Sequence, residues 1–188
     1  MTVPDFEAMY QADHDPWQVE TSWYERRKLA VLLAALPAER YRRAWEPGCG
    51  PGLVSRRLAD RVGELVASDV SDTAVALARQ RTSDLPSVSV HRSTLPEVPF
   101  EGTVDLVVAA EFLYYVPDLE GALDALWSRC EPGGHLVVVH WAHHPHDAFR
   151  GGPEMHARIR LDCVRRDVRT LVTHVDQDFL LDVYEAPA

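Results

Sequence analysis

Long apolar runs are missing from this sequence. The best of them, Leu29 to Leu36, falls well short of the ~18 residues a membrane span needs, so no membrane is expected as a partner. Cysteine is scarce too. Cys49, Cys130 and Cys163 are odd in number and scattered, which excludes a disulfide framework and suits free thiols in a reducing cytoplasm. Positive charge is in deficit: 19 basic against 29 acidic residues leave a formal net charge of -10. That balance argues against nucleic acid or an anionic surface as the main partner. The local basic clusters, Arg26-Arg27-Lys28 and the spread from Arg158 to Arg169, read as solvated helix faces. The first residues are acidic and polar, unlike a secretory leader. Repeats, linkers and low-complexity stretches are absent, so residues 1–188 are expected to form one domain large enough for a core of its own.

What is present alternates. Ser22-Trp23-Tyr24-Glu25 fits a capping box, opening a helix whose apolar face carries Leu29, Leu32, Leu33 and Leu36 and which Pro37 ends. Residues 1–21 show no periodicity and read as an irregular segment, so 1–37 is expected to supply a lid and a helix, and 41–188 an α/β core. Strands are expected to end at Glu46 and to cover 64–69, 88–91, 104–109 and 135–141, with helices over 53–61, 72–81 and 118–129. Two final strands, 169–175 and 179–184, flank the polar turn Asp176-Gln177-Asp178. The layout predicts a Rossmann-like α/β sheet, mostly parallel, with a reversed C-terminal hairpin strand.

The most informative stretch is Glu46-Pro47-Gly48-Cys49-Gly50-Pro51-Gly52, a glycine-rich turn from strand to helix, with an acid, Asp69, ending the next strand. Such a turn holds a nucleoside in a doubly wound sheet. In a dinucleotide fingerprint G-x-G-x-x-G the third glycine would fall at position 53, which is Leu53; the spare glycine is Gly52. Glu46 at the loop mouth would also oppose a pyrophosphate at the helix N-terminus. S-adenosylmethionine carries no phosphate and its sulfonium and ammonium are cations, so this turn reads as a site for that cofactor. A nicotinamide-dependent oxidoreductase is the alternative of a different class. Cys49 fills the tight turn as a small residue.

Ligands in open α/β sheets lie across the carboxyl ends of the strands. Asp69 is therefore expected to accept the ribose hydroxyls, with Val70 beside it, and Ser93 and Thr94 to meet the adenine. Glu111 and Phe112, after the fourth strand, complete the candidate cofactor shell. Tyr114 and Tyr115 follow them toward the reacting carbon, Tyr115 as an acceptor contact. His140, at the end of the fifth strand, is the candidate base, with Glu111 and Tyr114 beside it as catalytic candidates. Trp17, Tyr24, Trp141, His156 and His174 are the further acceptor-binding candidates. His143, His144, His146 and Asp147 read as a polar loop, and no metal is expected.

Taken together, Asp15-Pro16-Trp17, Tyr24-Glu25-Arg26, the glycine turn, Asp69-Val70-Ser71 and Val104-Asp105-Leu106-Val107-Val108 resemble the class I S-adenosylmethionine-dependent methyltransferases of the nodulation protein S type. Glu111 through Tyr115, Pro132-Gly133-Gly134-His135-Leu136, His140-Trp141 and Asp178 through Val183 extend the resemblance over nearly the whole chain. It implies a class I methyltransferase sheet and N-methylation of an amino group on a sugar or comparable small molecule, with S-adenosylhomocysteine as the product. O-methylation of a small natural product is the alternative within the same fold. A second subunit in a homodimer is compatible with so small a domain.

Overall fold

The structure, a computed structural model, describes residues 2–187. Two helices come first, α1 (Phe6–Ala12) and α2 (Trp23–Ala35). There follow β1 (Tyr41–Pro47), α3 (Leu53–Leu58), β2 (Val62–Asp69), α4 (Asp72–Arg81), β3 (Val88–Arg92) and β4 (Val104–Ala110). The chain closes with α5 (Leu119–Arg129), β5 (Cys130–Trp141), α6 (Gly152–Arg165), β6 (Arg169–Val175) and β7 (Phe179–Glu185). The strands form one sheet in the order β3-β2-β1-β4-β5-β7-β6. Pairs from β3 to β5 are parallel, and β7 inserts antiparallel between β5 and β6. The reversed hairpin is therefore where the sequence pattern expects it.

Central strands are buried on both faces, as an apolar run such as Val104 to Ala109 requires. On one face, Leu106, Val108, Val137 and Val139 pack with Leu32 of α2 and Leu58 of α3. On the other, Val107, Leu136 and Val138 pack with Leu123 and Leu126 of α5 and Met155 and Ile159 of α6. Successive residues of a strand point to opposite faces, so β5 sends Val139 and Trp141 one way and His140 the other.

Four local features differ from the sequence reading. Residues 6–12 are helical, not irregular: Asp5 caps α1 by accepting from the Ala8 N–H at 3.0 Å. Ser22 occupies the N-cap of α2 without a side-chain cap bond, and Glu25 turns to Lys28 instead, so the capping box does not form. The Pro132-Gly133-Gly134 turn is absorbed into β5, which starts at Cys130 and shifts register against β4 between Val104 and Leu106. α6 has no place in the expected layout of elements, although Arg158 to Arg169 reads as a solvated helix face and Met155, Ile159 and Cys163 recur at helical spacing on its buried side.

α6 is fastened to β7 through a fully buried carboxylate, Asp182. It accepts from His156 Nδ1 at 2.8 Å, from Arg160 at 3.0 Å and from the Thr173 hydroxyl at 2.8 Å. Burial alone would raise its pKa, but these donors overcome it and hold the acid at about 2 against an ordinary 3.8. The native carboxylate thus binds a proton less readily than the unfolded one. Its stabilisation is present above pH ~4 and is lost as the pH falls toward ~2. Asp182→Ala is expected to cost about 3–5 kcal/mol, because it strands buried donors. Urea unfolding should show the lower midpoint, and the variant's acid limb should be flatter than that of the parent.

Candidate functional site

The glycine turn is built by backbone geometry. Gly48 has φ +66°, and a Cβ there would lie 2.7 Å from the Phe112 ring. Gly52 (φ +81°) opens α3, and its Cβ would come within 3.0 Å of Ala78 on α4. The shifted third glycine therefore does the close-packing work that the dinucleotide fingerprint assigns one position later. Between them, the Gly50 N–H donates to Asp69 Oδ2 at 2.9 Å, and the Ser71 N–H donates to Oδ1 at 3.0 Å. Asp69 is almost fully buried, and burial raises its pKa. Each oxygen keeps acceptor capacity after these bonds. A side-chain-free cradle beside a strand-end carboxylate with open lone pairs fits the sugar of a nucleoside.

Glu46 needs a correction. It lies beneath the loop, 2% exposed, and accepts the Ser55 hydroxyl at 2.6 Å. Burial pushes it up to about 8, so it anchors α3 more than it supplies charge at neutral pH. Cys49 is buried, with its thiol raised well above the ordinary range by burial and by Glu46 and Asp69, which suits a filler and not a nucleophile.

A cavity of about 1110 Å³ opens from this turn across the carboxyl ends of the strands. It brings together Glu46, Gly48, Cys49, Gly50, Asp69, Val70, Ser93, Thr94, Glu111, Phe112, Tyr114 and Tyr115, with Trp17, Tyr24 and Trp141. Gly52 supports the turn from below. The Ser93 hydroxyl donates to the Glu97 carbonyl at 2.8 Å. α1 forms the roof: Phe6 meets Tyr115 edge-on at 5.1 Å, and Tyr10 meets Trp17 at 5.6 Å. Glu7 latches the roof to α4, accepting from the Ser71 hydroxyl, the Thr73 N–H and the Thr73 hydroxyl at 2.6–3.0 Å. The Ser71 and Thr73 donors hold Glu7 at about 2, so the latch stays charged across the neutral range.

Glu111 sits at φ +59°, a left-handed position that favours glycine and that surrounding bonds must hold. Its carboxylate contacts Lys28 Nζ and the Tyr114 hydroxyl, accepts the Trp141 N–H at 3.0 Å, and receives the Tyr24 hydroxyl at 3.4 Å. With four donors gathered, it is not free to anchor an incoming ammonium. It orients Tyr114, whose own hydroxyl is pushed up by burial and by Glu111.

Three histidines also need correction. His140 does not reach the cavity: it is fully buried behind Tyr114, with ring centroids 5.2 Å apart. Its Nδ1 lies 3.3 Å from His156 Nε2, and burial drives its pKa well down. His156 is equally buried and bonds Asp182. His174 lies on β6, stacked on Phe179 at 5.2 Å, away from the cavity wall. The imidazoles that do line the cavity are His144 and His146, from the loop taken as merely polar; His144 Nε2 is engaged by the Ala148 carbonyl at 3.0 Å. Lys28 and Asp147 were also missed. Only Glu25, one turn earlier, could have pointed to Lys28. Among the described residues no group of three or more His, Cys, Asp or Glu side chains is arranged to hold a metal ion, and no helix is long and apolar enough to cross a membrane.

Comparison with known proteins agrees with this geometry. The methyltransferase domain family matches residues 45–138, half of the chain. Nodulation protein S of Rhizobium tropici is 33% identical over 130 residues, which is 67% of this chain and 55% of the relative. Trans-aconitate 2-methyltransferase of Deinococcus radiodurans is 29% identical over 63% of this chain and 45% of its own. The chain thus spans about half the length of these curated relatives. Among solved structures, the N-methyltransferase NodS of Bradyrhizobium japonicum, in complex with S-adenosylhomocysteine, superposes with a TM-score of 0.81 over 98% of this chain and 100% of that one, at 23% identity. A Pseudomonas syringae protein, provisionally assigned as a methyltransferase, is 40% identical with a TM-score of 0.76, covering 87% and 99% of the two chains. The family match, on a turn whose third glycine is spaced for no dinucleotide, removes the nicotinamide alternative: the chain belongs to the class I S-adenosylmethionine-dependent methyltransferase family.

Proposed function

We propose that this protein transfers the methyl group of S-adenosylmethionine to the nitrogen of an amino sugar or comparable small amine. One observation carries the reading: eight acidic side chains line the cavity against two basic ones, Lys28 and Arg92. With Glu46 neutral the balance is still seven to two. Such a field concentrates cations, and a carboxylate acceptor would enter a field of its own sign. The rings of Tyr24, Tyr115 and Trp141 add flat faces suited to a sugar or an amine. The solved relative NodS is named an N-methyltransferase, which supports nitrogen over oxygen. The O-methylation reading draws on the relative named trans-aconitate 2-methyltransferase, and Lys28 and Arg92 are the groups that could receive a carboxylate.

When bound, the cofactor supplies an electrophilic methyl on a sulfonium that departs as a neutral thioether. Asp69 is assigned to the ribose hydroxyls, Ser93 and Thr94 to the adenine, and Gly48 and Gly50 to close backbone approach. The chain's remaining task is orientation, which can be worth roughly 7–11 kcal/mol, and removal of one proton from the acceptor. His146 is assigned as the proton acceptor: it lines the cavity, is exposed, and its imidazole can present a nitrogen lone pair to the acceptor. Tyr114, oriented by Glu111, and Tyr115 shape the space around the nitrogen.

Methyl-labelled cofactor offered with amino sugars, alkyl amines, alcohols and carboxylates is expected to label nitrogen; label carried as an ester would overturn the reading. Asp69→Ala should weaken S-adenosylmethionine binding roughly tenfold to a hundredfold by calorimetry, the cost of losing hydrogen bonds to a charged acceptor. His146→Ala should lower kcat and leave cofactor affinity unchanged. His140→Ala should instead lower the thermal midpoint, and a kcat loss in that variant without loss of stability would return the base to His140.

A further inference from the structure

Lys28 is the single lysine of the chain; every other basic residue among the 19 is arginine. It is 5% exposed and lines the cavity. Its Nζ lies 2.9 Å from Glu25 Oε1, contacts Glu111 Oε1, and sits 4.5 Å above the Tyr24 ring centroid. Two elements thus meet at one ammonium: its own helix α2 through Glu25 and Tyr24, and the end of β4 through Glu111. Glu111 cannot swing away to serve another cation, because its second oxygen holds the Tyr114 hydroxyl and the Trp141 N–H. An arginine would spread its charge over a planar fork, whereas lysine delivers a compact point charge that both carboxylates can reach.

Burial raises the Glu25 pKa and Lys28 beside it opposes that rise; with both carboxylates ionised the trio carries a net charge of −1. We propose that Lys28 is the charge-setting residue of the transfer subsite, cancelling one of its two carboxylates so that the subsite matches a single cation. The cofactor's sulfonium is that cation, and the acceptor nitrogen therefore enters uncharged. A nitrogen still carrying its proton would face an unmatched positive charge as well as lacking a lone pair for attack. Lys28 in this role is a specificity-determining residue, selecting the neutral form of an amine. The acceptor half of the inference rests on the N-methylation reading; the charge-setting half concerns the cofactor alone.

The test compares S-adenosylmethionine, with its charged sulfur, and S-adenosylhomocysteine, with a neutral one, by calorimetry. The two share every other charged group, so the ratio of their dissociation constants reports the field at sulfur. Lys28→Met takes the trio to −2, Glu25→Gln takes it to 0, and the double variant restores −1. Lys28→Met is expected to shift the ratio about threefold to tenfold toward the charged ligand, as one unit charge acting across several ångströms of partly solvated cavity would do. Glu25→Gln should shift it as far the other way, and the double variant should return it to the parent value. A ratio indifferent to charge in folded variants overturns the proposal. Should Lys28→Met fail to fold, Glu25→Gln decides alone by the same criterion. No acceptor takes part, so this outcome is independent of the acceptor panel that tests nitrogen against oxygen.

Discussion

The carboxylate of Glu111 ties together three parts of the chain at the carboxyl end of the sheet. Lys28 and Tyr24 come from α2, Tyr114 from the turn after β4, and the Trp141 N–H from the end of β5. The sheet lines up its strand ends, but it does not decide where the flanking helix and the next turn stand above them. A non-glycine residue held at φ +59° is a local cost, and it persists because four donors converge on the side chain that this backbone conformation projects. This side of the cavity is thus shaped by a polar hub as well as by the aromatic packing of Tyr114 and Tyr115. Such a hub gives defined directions, because each donor satisfies one lone pair and leaves none idle.

Parity along β5 explains how the two sides of that hub divide their labour. The rule that ligands lie beyond strand ends selects a level in the sheet, not a face of it. At that level Val139 and Trp141 look into the cavity, while His140 between them looks the other way, into α6. There it joins His156 and Asp182 in a buried chain of hydrogen bonds that fastens the helix to β7. One strand end therefore supplies a wall of the site and a structural lock, one residue apart.

Legibility in the sequence followed the range of the interactions. The glycine turn could be read because its constraints are local: glycines at positive φ beside a strand, with an acid at the end of the next strand. The reversed hairpin was equally plain from two short apolar strands about a polar turn. Glu111's saturation could not be read, since Lys28 lies 83 residues away from it in the chain. α1 was invisible for a related reason. Seven residues are too few to show a period, and the helix is held by contacts of Glu7 with residues 64 and 66 positions distant. The face of His140 needs only the alternation rule, but its depth depends on the apolar side of α6, whose arginines mark only the solvated side.

The roof couples the two halves of the cavity. α1 closes over the glycine turn, with Tyr10 above Gly50 and Phe6 against Tyr115, so the nucleoside half of the cavity and the aromatic half share one cover. The cover's latch is Glu7 at the N-terminus of α4, where helix N–H groups favour an anion. Ser71 and Thr73 hold that acid far below the neutral range, so neither pH nor protonation opens it under ordinary conditions. Opening must instead come from exchange of these hydrogen bonds with water, a low-cost step for a short helix whose latch is solvent-accessible. Tyr10 and Trp17 would cover a cofactor held by the glycine turn. One short helix therefore governs access to both halves of the cavity, and the glycine turn and the aromatic wall open and close together.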